Sequence, residues 1–167
     1  YAKKAGGVKV RLSAADAAFP GAVDAAVLYK EYAAAAGIEI EVVREPNDGY
    51  WKNVWMKKPW GACYWGGRPT EDWMFSTTHF SGADWNDTHF KDEKFDKMLI
   101  EARAETNQDK RRQLYYDMQK IVSDEGGTVV PMFANFVFAA HKKVQHGTMA
   151  GNWMMDGNKF HERWWFA

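Results

Sequence analysis

Arg68 carries the sharpest chemical signature in this chain. It lies in the stretch Cys63-Tyr64-Trp65-Gly66-Gly67-Arg68-Pro69, followed by Thr70, Glu71, Asp72 and Trp73. A guanidinium holds carboxylates and phosphates through paired, charge-assisted hydrogen bonds. The two aromatics just before it offer ring faces for stacking. Paired glycines free the backbone between them, and Pro69 fixes the exit. The pattern reads as a strand over 60–65 that delivers its last side chains to a tight turn, with Gly67 at the bend. Strand ends of open α/β sheets are where ligands bind. Alternation sends Tyr64 and Trp65 to opposite faces, one to the core and one to a ligand, and does not say which is which. A second platform is Trp85-Asn86 in the polar loop 81–90, since loops on rigid scaffolds carry function. The ligand-binding candidates are therefore Tyr64, Trp65, Gly67, Arg68, Trp85 and Asn86. Asp72 reads as a cap for a helix that begins near Thr70, and Trp73 as a core residue.

Other chemistry finds little footing. His79 and His89 stand ten apart with Asp84 and Asp87 between them, a spacing that matches neither zinc nor EF-hand sites. His141, His146 and His161 are scattered, so no metal is expected, and no cofactor. There is no Gly-x-Ser-x-Gly, no P-loop and no Gly-x-Gly-x-x-Gly after a strand. Cys63 lies in an apolar run and reads as a small hydrophobe rather than a nucleophile. Asp124-Glu125 and Lys110-Arg111-Arg112 read as solvated helix positions. A formal net charge of zero, with no block of like charges, argues against nucleic acid as a partner. No apolar run is long enough to span a bilayer. Nine Trp, ten Phe and seven Tyr exceed what a core of this size needs, so some rings are expected to face a ligand or a missing neighbour. The chain begins at Tyr1 and runs directly into a strand, which reads as a piece of a longer protein.

The elements that must position these residues follow from pattern. Residues 8–12 alternate as a short strand, 22–36 form an alanine-rich helix closed by Gly37, and 38–43 form a second strand. Strand, helix, strand with short connections predicts two parallel neighbours. Short helices are expected over 50–57, with Asp48 as cap, and over 70–79. Phe95, Met98, Leu99 and Ala102, then Leu114, Met118, Ile121 and Val122, mark an amphipathic helical hairpin. Thr106 and Asp109 resemble a capping box for its second helix, and Gly126-Gly127 stops it. Residues 129–133, 136–140 and 160–166 read as strands. Residues 146–159 show no period.

The run from Phe90 to Pro131 resembles a known family, the extracytoplasmic solute-binding proteins of peptide-type ABC importers (the dipeptide, oligopeptide and nickel group). The residues that carry the likeness are Phe95-Asp96 opening a helix, Ala102, Asp109 with Arg111-Arg112, Leu114-Tyr115, Gln119 and Val129-Val130-Pro131. Upstream, Ala36-Gly37-Ile38 before a strand and the Trp65-Gly66 strand end are also typical. The resemblance covers about residues 8–145. It implies an α/β fold and one lobe of a two-lobed periplasmic-binding-protein-like clamp. Residues 1–144 would be the C-terminal lobe, and 145–167 a return segment towards an N-terminal lobe not in this chain. It further implies a binding protein rather than an enzyme, periplasmic or lipid-anchored, that captures a peptide or related small solute and delivers it to an inner-membrane ABC permease. In peptide-binding members the turn after the cleft strand carries an aspartate for the peptide's amino terminus. Here that position is Gly67, or Arg68 with a one-residue slip. The departure opens the alternative of an acidic or sugar-containing metabolite. From other classes, a small α/β hydrolase or a protein-interaction module are the rivals.

Overall fold

The computed structural model describes residue 4, residues 6–151 and residues 153–167, as two compact units that divide between Trp65 and Gly66. The first unit is built on strand β1 (Val8–Ala14), helix α1 (Ala22–Ala35), strand β2 (Ile38–Arg44) and the short helix α2 (Tyr50–Asn53). The two strands pair in parallel, Val8 opposite Ile38 through Ala14 opposite Arg44. This is the pairing that the strand–helix–strand spacing predicts. Leu12, Ala14, Ala26 and Ile40 form the buried centre, with Val10, Val23, Tyr29, Ala33, Val42 and Trp60 packed on it. Alanines on the sheet-facing side of α1 let helix and strands approach closely, because no long side chain holds them apart.

The strand expected over 60–65 is reduced to a single bridge. Gly61 pairs with Ser13 in parallel, the Ser13 N–H donates to the Trp60 carbonyl (3.1 Å), and the Ala62 N–H donates to the Ser13 carbonyl (2.8 Å). Beyond Ala62 the chain leaves the ladder. Helix α2 is also shorter than expected: it ends at Asn53, and turns fill the space to Lys57. Its N-cap is Gly49, in the left-handed region at φ 73°, so Asp48 is not the cap.

The second unit is helical. Helix α3 (Glu71–Thr78) precedes the hairpin of α4 (Glu93–Ala104) and α5 (Gln108–Glu125). Phe75, Phe95, Leu99, Ala102, Tyr115 and Met118 are its buried core; Phe95, Leu99, Ala102 and Met118 are periodic positions that the sequence marks, while the marked Met98, Leu114, Ile121 and Val122 pack partly buried against them. Asp92 caps α4 by accepting from the Lys94 and Phe95 N–H groups. For α5 the cap is Asn107, which accepts from the Asp109 and Lys110 N–H groups, rather than a Thr106–Asp109 box. Gly127, at φ 71°, supplies the left-handed residue that ends the hairpin.

Residues 129–140 form no strand. Among the described residues no strand pairs with them, and Phe133 stands 93 % exposed. Strand β3 (Val144–His146) pairs antiparallel with β4 (Trp164–Phe166). Between them lie α6 (Met154–Asn158) and α7 (Phe160–Arg163), so the strand expected over 160–166 occupies only its last three residues. Within α6, Met155, Asp156, Gly157 and Asn158 all have positive φ, which makes it a left-handed turn. Buried Asp156 holds that turn: its carboxylate accepts from the Ala150 N–H (2.6 Å) and the Trp164 indole (3.1 Å) and pairs with Arg163 (3.2 Å).

Candidate functional site

The candidate residues fall in both units. Tyr64 and Trp65 close the first. Tyr50 roots the rings there. It is fully buried, and its one hydroxyl proton is shared between the Ala62 carbonyl (2.6 Å) and the Ser13 carbonyl (3.2 Å). Burial pushes its pKa up to about 12, so it stays a donor throughout the useful pH range. From Tyr50 the rings run outward edge to face: Trp51 against Tyr50 at 5.7 Å, Trp55 against Trp51 at 5.9 Å, Tyr64 against Trp51 at 6.2 Å and Trp65 against Trp55 at 6.3 Å. Tyr64 is 62 % exposed and Trp51 42 %, whereas Trp55 and Trp65 are half-buried. Alternation predicts one core ring and one open ring at 64–65. Tyr64 is the more open of the pair, and both rings are braced by indoles from α2 and the turn after it.

Gly67 and Arg68 open the second unit. Neither Gly66 nor Gly67 takes a left-handed φ, so the glycine pair is not there for backbone conformation. Gly66 lies against Arg68: a Cβ there would make an ordinary contact with the Arg68 Nη1 at 3.6 Å. That nitrogen donates to the Gly66 carbonyl at 2.7 Å. The guanidinium lies 5.5 Å from the Trp73 ring and 6.0 Å from the Trp153 ring. Arg68 is therefore held by two indoles and its own backbone rather than loose in solvent, a cation–π arrangement that fixes its direction. Trp73 is not core as the sequence pattern suggests. It is 49 % exposed, and its ring lies beside the Arg68 guanidinium. Trp153 is a second residue that the pattern misses: it lies in the aperiodic stretch, where only composition marks it.

Thr70 is the cap of α3, with its hydroxyl accepting from the Trp73 N–H at 3.2 Å. Asp72 sits in the first turn and is bound by Arg103 through both carboxylate oxygens (2.8 and 2.7 Å). The Arg103 hydrogen bond holds the Asp72 carboxyl below its ordinary range. Asp72 thus joins α3 to α4.

In loop 81–90, Trp85 is 52 % exposed while Asn86 is 5 % exposed. The Asn86 amide donates to the Phe90 carbonyl (2.6 Å) and accepts from the Phe90 N–H (3.1 Å). It staples the loop that presents Trp85. Behind it, His79 is buried among Phe75, Phe90 and Phe95, with its Nδ1 2.6 Å from the Thr78 hydroxyl. Burial lowers its pKa, and Asp87 opposes this.

The first unit also holds an open cavity of about 350 Å³, lined by Gly7, Val8, Lys30, Gly37 and Ile38 among others. It lies at the start of both strands, the opposite end from Ser13 and Gly61. Among the described residues no group of three or more His, Cys, Asp or Glu side chains is placed to hold a metal. No helix among them is long and apolar enough to cross a membrane.

No family model and no curated protein matches the sequence. Solved structures do match. NikZ from Campylobacter jejuni, in complex with Ni(L-His), is 21 % identical with a TM-score of 0.57, over 71 % of this chain and 25 % of that one. The ABC transporter-associated periplasmic binding protein DppA from Helicobacter pylori, in complex with peptide STSA, is 21 % identical with a TM-score of 0.59, over 75 % and 26 %. HbpA2 from Haemophilus parasuis is 18 % identical with a TM-score of 0.60, over 75 % and 27 %. The chain spans about a quarter of the length of these structures. At such identity the likeness is one of fold. The chain has the α/β fold of part of the solute-binding proteins that serve peptide and nickel ABC transporters.

Proposed function

We propose that this chain is one lobe of an extracytoplasmic solute-binding protein, which closes by hinge motion around a peptide or related small solute and presents it to an inner-membrane ABC permease. Residues 1–144 supply the lobe, and 145–167 return towards the second lobe. The mechanism is capture and release, with no bond chemistry. The fold likeness to periplasmic binding proteins over about three quarters of the chain carries this reading. Fold alone does not assign a ligand; the site residues narrow it. Tyr64, Trp65 and Trp85 supply ring faces, Gly67 gives close access to the backbone, Arg68 anchors an anionic group, and Asn86 shapes the loop that carries Trp85.

An acidic or sugar-containing metabolite is a second reading of the ligand. It is favoured by a guanidinium in the turn, clamped by Trp73 and Trp153. A charge-assisted bond from such a group to a carboxylate contributes about 1.5–3 kcal/mol. A thermal-shift screen of the complete two-lobed protein with tripeptides, sugar acids and sugar phosphates tests both, because a bound solute raises the melting point by mass action. Stabilisation by acidic solutes that disappears in Arg68→Ala supports the second reading. Stabilisation by tripeptides that survives it supports the first. No shift with any solute removes the binding role.

A further inference from the structure

We infer that the aromatic arc of the first unit, Trp51, Trp55, Tyr64 and Trp65, is a binding surface for a pyranose ring, so that the solute is a carbohydrate. This rests on the solute-binding reading above, takes its second ligand class in place of a peptide, and adds two residues, Trp51 and Trp55, that take part.

The arc is built rather than incidental. Its root, Tyr50, is locked by a hydroxyl proton shared between the backbone of β1 and that of residue 62, so the rings are placed before any ligand arrives. Trp51 and Trp55 stand four residues apart, which brings their rings to one side of α2 and its following turn. None of the four rings belongs to the buried clusters of this unit, which are filled by Tyr50, Val54 and small residues around them. Trp51 and Tyr64 keep ring surface open beside a finished core, with Trp55 and Trp65 half-buried against them, and such surface marks a binding site rather than a fold requirement.

The angles choose the ligand. Successive ring planes meet at 77°, 69° and 62°, so the arc is a series of walls rather than one flat table. A flat aromatic ligand lies against one wall at a time. A pyranose chair is thick and carries C–H groups on both faces and along its edge, so it meets adjoining walls at once. Its hydroxyl rim remains for polar groups and water, and Tyr64 adds a phenol hydroxyl. Charge excludes the other common occupant of perpendicular rings, a quaternary ammonium. Lys58 is paired with Glu45, which leaves Lys52 and Lys57 as the exposed charges within residues 50–65, where no Asp or Glu occurs, so the flank suits a neutral or acidic sugar.

The test is quenching of intrinsic tryptophan fluorescence by the whole chain, titrated into the millimolar range with cellobiose, digalacturonate, trialanine and choline. Either sugar is expected to quench saturably. Trp51→Ala and Tyr64→Ala, at exposed positions where folding is retained as judged by far-UV circular dichroism, are expected to weaken that binding at least tenfold. Trp51→Phe, which keeps a wall, is expected to recover most of it. Sugar binding unchanged in both alanine variants overturns the placement. Saturable binding of trialanine or choline without either sugar overturns the ligand class while leaving the solute-binding role standing. Binding of none of the four overturns both.

Discussion

Two aromatic clusters use the same ring geometry to opposite ends. In the helical unit, Phe75, Phe90 and Phe95 meet edge to face at 5.3–5.6 Å, and Phe95 is wholly buried. In the first unit, Trp51, Trp55, Tyr64 and Trp65 meet edge to face at 5.9–6.3 Å with two of the rings open to solvent. Ring–ring contact by itself therefore does not tell a core from a binding surface. What separates them is burial. Leu99, Ala102, Tyr115 and Met118 close over the phenylalanines, whereas Trp51 and Tyr64 stay 42 % and 62 % exposed. The first cluster should set stability, and the second should leave stability nearly untouched.

The largest effect should come from Phe95→Ala. Emptying a buried ring site costs about 3–5 kcal/mol, read as a loss of unfolding free energy in urea. Trp51→Ala should cost less than about 1 kcal/mol in the same assay, since its ring is already partly hydrated. Equal losses would make the arc a core and remove the contrast between the clusters. Next is the link between α3 and α4. Arg103→Met should cost about 1 kcal/mol, held down by solvent screening because Arg103 is half exposed. It should also return the Asp72 carboxyl towards its ordinary pKa, observable by NMR titration.

His79 sharpens the comparison through pH. Its pKa is lowered in the folded state by burial, so below the ordinary value of 6.5 the unfolded chain takes up a proton that the folded chain does not. Stability of the helical unit should therefore fall as pH drops from 6.5 towards the folded value, and be insensitive to this group well above 6.5. In His79→Phe that slope should vanish between pH 7 and pH 5, while Trp51→Ala retains it. Asp72 adds a second loss at lower pH, because its folded pKa is depressed and its pairing with Arg103 ends on protonation. The smallest effect is expected at the α3 cap: Thr70→Ala should cost about 0.5–1 kcal/mol, seen as a small drop in melting temperature.

Much of the fold is legible in local pattern. The parallel β1–β2 pair and the α4–α5 hairpin follow from apolar spacing and short connections, which are properties of neighbouring residues. The caps are less legible, since Asn107 and Thr106 are both competent and only the path of the chain selects between them. Residues 129–140 show why strands are harder than helices. Their β-branched and aromatic run is a sound strand signal, yet a helix satisfies its own backbone and a strand needs a partner. The same holds for 60–65, where one bridge to Ser13 is all the ladder that forms.

The site divides along a similar line. Composition and order alone determine that a guanidinium follows two aromatics and a glycine pair, and that tryptophans stand at 51, 55, 73 and 85 among others. They determine the helical core and the family likeness that its spacing carries. Only tertiary structure decided that Trp73 and Trp153 clamp Arg68, that Asn86 is buried as a loop staple, and that Trp51 and Trp55 brace Tyr64 and Trp65. The reason is physical. Periodicity reports which face of an element is apolar, but exposure and ring contacts depend on what packs against that face, and those neighbours are distant in the chain.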